Sequence, residues 1–317
     1  MRTLLALLAG LLTSAPALPP ADGSALIRTA PVALDPRDPA RVRLGRLSFQ
    51  GGWVLTSSDR RFGGLSSLTV DSDGLLGVSD RGGLVRIVPR GQRPPVGHVI
   101  GLLPDGPQAG IGHADRDSES SIRGPDGSLW VGFEDADQIW RYDAAVRRAT
   151  GHVAPPAMGD WPRNGGAEAM VRLDDGRFLV FSEEAEGSGG PGSYRALIFP
   201  GDPVEGGEPA SFDYRPPAGY VITDICALPD GRLVALHRRF TPLDGASAIV
   251  TIIDPHGIRA GASVSGQEIA RLAPPLTVDN MEAVAVTREK GRTILWIASD
   301  DNFSSAQRTL LLRFRLD

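Results

Sequence analysis

Cysteine and lysine are almost missing from this 317-residue chain, which has one of each, Cys226 and Lys290. A single cysteine excludes a disulfide within the chain and any Cys-rich metal site. Cys226 lies in an apolar run, residues 221–228, and reads as a small core residue. With one lysine, nearly all 33 basic residues are arginine, a bias so complete that it reads as the habit of the coding genome. No apolar run reaches the roughly 20 residues needed to cross a bilayer, and no helical period of useful length follows the first 20 residues. The 38 acidic residues give a net charge of −5, which excludes nucleic acid as the main partner because phosphate binding needs a basic surface. Also missing are H-E-x-x-H, a G-x-S-x-G elbow, a P-loop and a dinucleotide fingerprint, so zincin, α/β-hydrolase and nucleotide-binding chemistry lack their residues. The five histidines (His98, His113, His152, His237 and His256) make no metal-ligand spacing.

What is plentiful is glycine and proline, 39 and 26 residues, about a fifth of the chain. With 41% hydrophobic and 22% charged residues, this is a folded chain rich in turns. Residues 1–20 carry Arg2, an apolar stretch over 4–12 and the small residues Ser14, Ala15 and Ala17, the pattern of a secretory signal peptide. No cysteine follows for lipid attachment. The expectation is an exported protein, periplasmic or secreted, with no transmembrane segment in the mature chain. Residues 21–43 read as an extended N-terminal arm, and 44–317 as one domain.

That domain repeats. Five segments each read strand, tight turn, strand, with Asp-Gly at the turn in four (Gly74, Gly127, Gly176, Gly231) and Lys290-Gly291 in the fifth. The turn glycines are 53, 49, 55 and 60 residues apart, and a third and fourth strand fit each interval. Four strands per ~50 residues is the arithmetic of a β-propeller blade. The fifth unit ends the chain one strand short, and residues 44–57 supply an orphan strand ahead of the first. The expected fold is therefore an all-β propeller of five visible four-stranded blades, closed by an N-terminal strand. A sixth unit too degenerate to recognise stays open.

In a propeller the first strand of each blade lines the axis. Its start is occupied by Ser66, Glu119, Glu168, Asp224 and Glu282, four carboxylates in five positions. Clustered carboxylates repel unless a cation neutralises them, and Ca²⁺ is the hard ion that oxygen ligands suit. Glu119, Glu168, Asp224 and Glu282 are thus the candidate metal ligands. The second strands end on Asp80-Arg81, Glu134-Asp135, Glu183-Glu184, Arg238-Arg239 and Asp300-Asp301. From these, Glu134, Glu183, Asp300 and Asp301 are candidates for acid/base work, and Arg81, Arg238 and Arg239 for holding an anionic group. The competing use of such positions is to tie neighbouring blades together.

The stretches Phe62-Gly63-Gly64-Leu65-Ser66, Val78-Ser79-Asp80-Arg81-Gly82, Asn164-Gly165-Gly166-Ala167-Glu168, Arg238-Arg239-Phe240 with Pro242-Leu243, Asp279-Asn280-Met281-Glu282 and Ser299-Asp300-Asp301-Asn302-Phe303 carry a resemblance. The sequence resembles exported bacterial proteins of the phytase-like family, also called esterase-like activity of phytase, over about residues 44–317. The resemblance implies a β-propeller and hydrolysis of phosphate or carboxylate esters. It departs at His237, where an acid is expected before the arginine pair, and at Ala169 and Ala283, where glycine is expected. The functional expectation is a monomeric ester hydrolase taking an anionic small-molecule ester with Ca²⁺ at the mouth. The alternative is a non-catalytic propeller of the cell envelope that binds a ligand or protein.

Overall fold

The computed structural model describes residues 25–107, 116–163 and 165–317. Residues 1–20, where a signal peptide is expected, the start of the expected arm (21–24), His113 and Asn164 lie outside the described residues. The N-terminal strands are β1 (Ala25–Pro31), β2 (Arg43–Leu44) and β3 (Leu47–Thr56). Blade one follows as β4 (Leu65–Asp71), β5 (Gly74–Ser79), β6 (Gly83–Arg90) and β7 (Arg93–Leu102). Blade two is β8 (Ser118–Arg123), β9 (Leu129–Phe133), β10 (Gln138–Tyr142) and β11 (Ala149–Val153). Blade three is β12 (Ala167–Arg172), β13 (Phe178–Glu186), β14 (Tyr194–Phe199) and β15 (Ala210–Arg215). Blade four has β16 (Val221–Ala227), β17 (Leu233–Thr241) and β18 (Gly245–Ile253). Its chain then visits β19 (Ser263–Ser265), which adds in parallel to the outer edge of β15, before closing with β20 (Gln267–Leu272). Blade five is β21 (Asn280–Glu289), β22 (Arg292–Asp300) and β23 (Leu310–Leu316), with β3 as its fourth strand.

The ring has five blades. The innermost strands β4, β8, β12, β16 and β21 pack each on the next, and β21 packs back on β4. The apolar core divides the same way into five clusters, one in each blade-to-blade interface; Leu76 and Val78 meet Leu129 and Phe133, for example. Each middle strand is covered on both faces, so it reads as a continuous apolar run, as the fully buried strand Leu129–Phe133 does. Both covered faces keep these runs out of water, which is the main source of stability in a fold with so little local structure.

The hairpins follow from their turn chemistry. In blades two, three and four the amide of Gly127, Gly176 or Gly231 donates to the carbonyl three residues back. Each of these glycines has a φ between +83° and +92°, where a Cβ is strained. The aspartate before the glycine holds the turn: Asp175 accepts from Arg177 N at 3.1 Å, and Asp230 from Arg232 N at 3.1 Å.

Closure uses more chain than the expected single strand. β3 pairs antiparallel with β23, Leu47 opposite Leu316. β1 then pairs with β3 through Arg28–Pro31 and with β7 through Ala25–Ile27, so it covers the outer edges of blades five and one at once. Two edges that would otherwise offer unpaired amides are thereby removed.

Candidate functional site

Register fixes the site. Every innermost strand carries a β-bulge at the same place, and the residue pushed out of pairing is Ser66, Glu119, Glu168, Thr223 or Glu282. A bulge re-aims its side chain, here toward the axis. The residue that immediately follows the partner of each bulge is Asp80, Glu134, Glu183, Arg238 or Asp300. The site is thus two concentric rings of five, an inner ring on the bulges and an outer ring on the second strands. All five outer residues and the three inner glutamates line one cavity of about 810 Å³, joined by Asp117 and Asp279. Nine carboxyls therefore face one guanidinium, that of Arg238, among the described lining residues.

The electrostatics follow from that crowding. Burial, and then repulsion from Asp300, pushes Asp80 up to about 7. Burial also pushes Glu134 to about 7, Glu282 to about 8 and Asp300 to about 6. Glu119 and Glu168 are pushed well above the usual carboxylate range, by burial first and then by Glu134 and Glu183 respectively. Glu183 is raised by burial against the pull of Arg238. Burial opposes the charge on Arg238, but Glu282, Glu183, Glu168 and Glu119 outweigh it and hold the guanidinium charged. Its Nη2 lies 2.8 Å from Glu183 Oε1 and its Nε 2.8 Å from Glu282 Oε1. Glu134 Oε1 accepts from Gly166 N at 3.0 Å, which ties blade two to blade three. Gly64 has φ +61°, and a Cβ there would clash with Asp80 Oδ1, so only glycine lets the first blade's entry pass this close.

Seven of the eleven sequence-predicted residues meet in the cavity: Glu119, Glu134, Glu168, Glu183, Arg238, Glu282 and Asp300. Four do not line it. Asp224 is one residue past the bulge, and its carboxylate accepts from Val284 N of the next blade at 2.7 Å and from its own neighbour Ile225 N at 2.8 Å. It is a blade-to-blade tie, and the inner-ring position belongs to Thr223, whose hydroxyl donates to Met281 O at 3.3 Å. Asp301 lies just past the end of β22 and points away from the cavity. It accepts from Gly64 N at 2.9 Å, Phe303 N at 3.0 Å and Thr309 Oγ1 at 2.8 Å. Arg81, in the turn after β5, does not line the cavity either and lies over the Phe303 ring, 3.8 Å from its centroid. Arg239 turns to Asp244 at 3.1 Å, while Arg238 turns in.

His237, expected to change the local charge, is fully buried and faces outward into the blade. Its Nδ1 lies 3.1 Å from Ile249 O and its Nε2 2.6 Å from the Tyr214 hydroxyl, so Nδ1–H donates and Nε2 accepts. Burial lowers its pKa to about 4, and it is neutral. Ala169 and Ala283 are fully buried, packed in blade interfaces. Cys226, read as a core residue, is partly exposed at the opposite end of the inner strands, in a small hollow it shares with Leu68, Met170 and Ala285.

Three cavity carboxyls were missed as site candidates, Asp80, Asp117 and Asp279, the last of them 3.1 Å from Arg308 Nε. Asp80 shares the register of Glu134, Glu183 and Asp300, which was the signal for it. Asp117 precedes β8 with φ +48°. The left-handed turn puts its carboxylate beside Glu119 and Glu134, and ligand oxygens of the three lie within 4.8 Å of one another. Ca²⁺–oxygen distances of about 2.3–2.6 Å place oxygens on opposite sides of an ion about 5 Å apart, so this triad fits a hard divalent cation. The described cavity lining includes no histidine or cysteine, so the donor set favours Ca²⁺ or Mg²⁺ over zinc.

The cavity wall is not acidic throughout. Phe240, Ala246, Pro274 and Val278 line one side. Among the described residues no helix is long and apolar enough to cross a membrane.

No protein of curated function matches the chain by sequence. Among solved structures it is similar to virginiamycin B lyase from Staphylococcus aureus, with TM-score 0.43, 11% identity, and 92% and 100% of the two chains covered. It is similar to Myxococcus xanthus glutaminyl cyclase, with TM-score 0.44, 11% identity, and 81% and 93% covered. It is also similar to the Malassezia sympodialis allergen Mala s 1, with TM-score 0.45, 15% identity, and 87% and 82% covered. A family model described as phytase-like, esterase-like activity of phytase, matches residues 60–303 and so takes in both rings, blades one to four and the two inner strands of blade five. The chain belongs to the phytase-like family.

Proposed function

We propose that this phytase-like propeller is an exported hydrolase of phosphate or carboxylate esters that works with a divalent cation, Ca²⁺, at its mouth. The observation that carries this reading is the imbalance of nine carboxyls and one guanidinium lining one cavity, which remains when Asp279 is set against Arg308, 3.1 Å away. Two like charges 4 Å apart repel by about 4 kcal/mol at an effective dielectric near 20, so an anionic ester needs added positive charge to enter. Arg238 alone does not supply it, because Glu183 and Glu282 already hold it. Asp117, Glu119 and Glu134 would hold the cation. When bound, the ion offers positive charge to the anionic group and polarises its oxygen.

The remaining roles fall to the chain's own groups. Asp300, with a pKa near 6, is largely ionised at neutral pH and is the candidate base for the attacking water. Glu282, near 8, keeps its proton there and is the candidate donor to the departing alkoxide. Arg238, held between Glu183 and the protonated Glu282, orients the anionic group. Glu168 and Glu183 set the field around these groups, and Asp224 and Asp301 act on the scaffold. Export rests on residues 1–20, and mass analysis of the protein from a cell envelope or culture fraction tests it. Gel filtration tests the expected monomer.

The deciding assay follows phosphate release from phytate and from phosphate monoesters, and alcohol release from nitrophenyl carboxylates, with Ca²⁺ and with chelator. Turnover that needs Ca²⁺ and falls at least 100-fold in Glu134→Gln is the expected result, within the range a cation-bound oxygen clamp supplies. Turnover of none of these esters above the Glu134→Gln background overturns the reading.

A further inference from the structure

The acidic rings leave one feature of the cavity unused. On β17 the side chains of Arg238 and Phe240 share a face, since strand residues two apart point the same way. Both line the cavity. Arg238 reaches inward to Glu183 and Glu282, and Phe240 stands one step farther out, toward the open end. Phe240 is 68% exposed. Across the hairpin it faces Ala246, and Pro274 and Val278 continue the same wall. An aromatic ring left open on the wall of a cavity, beside an anion-holding group, is an apolar subsite ready to be covered by a ligand.

The hairpin supplies its own control. Leu243, at the tip of the same hairpin, is 96% exposed but does not line the cavity. General stickiness of the hairpin would involve both residues, whereas a ligand subsite involves Phe240 alone.

We propose that the cavity takes an amphiphilic ester, an anionic head carrying an aromatic or alkyl group, with that group seated on Phe240, Ala246, Pro274 and Val278 and the head at Arg238. Phe240 is then the specificity-determining residue, and a ligand charged on every side, such as a polyphosphorylated polyol, is the poorer fit. The proposal rests on the hydrolase reading for the word ester, but the subsite itself is a matter of binding and is tested without turnover.

The experiment measures binding of phenylphosphonate and methylphosphonate by calorimetry, in 1 mM CaCl₂ at pH 7.5, to the full chain, Phe240→Ala and Leu243→Ser. Phe240 is exposed, so the variant folds, which its melting temperature verifies. Phenylphosphonate is expected to bind the unaltered protein about tenfold more tightly than methylphosphonate, the discrimination that burial of most of a phenyl ring supplies. In Phe240→Ala that ratio falls to about twofold, and in Leu243→Ser it is unchanged. Equal affinities in the unaltered protein, a ratio that survives Phe240→Ala, equal loss in Leu243→Ser, or binding of neither phosphonate each overturns the proposal. Steady-state rates on phenyl phosphate and glycerol 2-phosphate separate the two readings. Selective binding without turnover sinks the hydrolase and leaves the subsite, and turnover with no phenyl preference in binding does the reverse.

Discussion

Arg238 Nε lies 2.8 Å from Glu282 Oε1, and this ion pair joins the outer ring of blade four to the inner ring of blade five. Because Arg238 also holds Glu183, removing it leaves two buried carboxylates without a counter-charge. Arg238→Gln is expected to lower stability at pH 8 by roughly 1–3 kcal/mol, less than for a fully buried pair because part of the side chain meets water. At pH 5 both acids take up protons and the loss shrinks. Urea midpoints at the two pH values check this, and an equal loss at both would show the pair to be structural packing alone.

The rings also set how stability varies with pH in the cation-free protein. Folded values of about 7 for Asp80 and Glu134, 8 for Glu282 and 6 for Asp300 stand above the ordinary 3.8 for aspartate and 4.5 for glutamate. Between those limits the folded chain binds more protons than the unfolded one, so stability falls as pH rises. The ring contribution is greatest below about pH 4, under the unfolded values, and declines from there through about pH 8. Each extra proton held is worth about 1.4 kcal/mol per pH unit, or roughly 3 °C in Tm for a domain of this size. Melting curves in chelator from pH 5 to 9 measure the slope; a Tm that rises over 6–8 contradicts the ring electrostatics.

Asp224 and Thr223 test the register. If Asp224 ties blades rather than binding a cation, Asp224→Ala leaves the Val284 amide unsatisfied and costs about 1–3 kcal/mol. Ca²⁺ affinity is then unchanged. Loss of Ca²⁺ binding without loss of stability would return Asp224 to the ligand set.

The repeat was legible because every blade needs the same turn, and Asp-Gly writes that turn into the sequence at a steady period. Both rings were half legible for the same reason. Counting back eight residues from the turn glycines of the first four blades lands on Ser66, Glu119, Glu168 and Thr223. Asp224 is seven back, and its charge drew attention away from the spacing. The bulge hides this, since it spends one residue without advancing the ladder, and no local sequence signal marks it. Alternation would have separated Arg238 from Arg239, since neighbours on a strand cannot share a face, whereas Asp301 lies past the end of β22, where no period applies. Asp117 was harder to see, because its approach depends on a left-handed backbone at a non-glycine residue. β19 was invisible for another reason, as three residues between turns carry no period.

The cation triad carries the last prediction. Asp117, Glu119 and Glu134 bring oxygens within 4.8 Å of one another, and each added cation charge relieves a repulsion the fold otherwise bears. At a Ca²⁺ concentration 100 times its Kd the folded state gains about 2.7 kcal/mol, which raises Tm by roughly 5–10 °C. Glu134→Gln and Asp117→Asn should each abolish most of that shift, whereas Asp301→Asn, which alters a carboxylate outside the cavity, should lower Tm yet keep the shift. Since Glu134 and Glu119 must release protons to bind the ion, affinity falls about tenfold per pH unit per proton displaced on going from pH 8 to 6. Thermal shift with Ca²⁺, Mg²⁺ and chelator reads all of this together. A Tm indifferent to both cations at pH 8 would mean that the rings neutralise themselves by sharing protons.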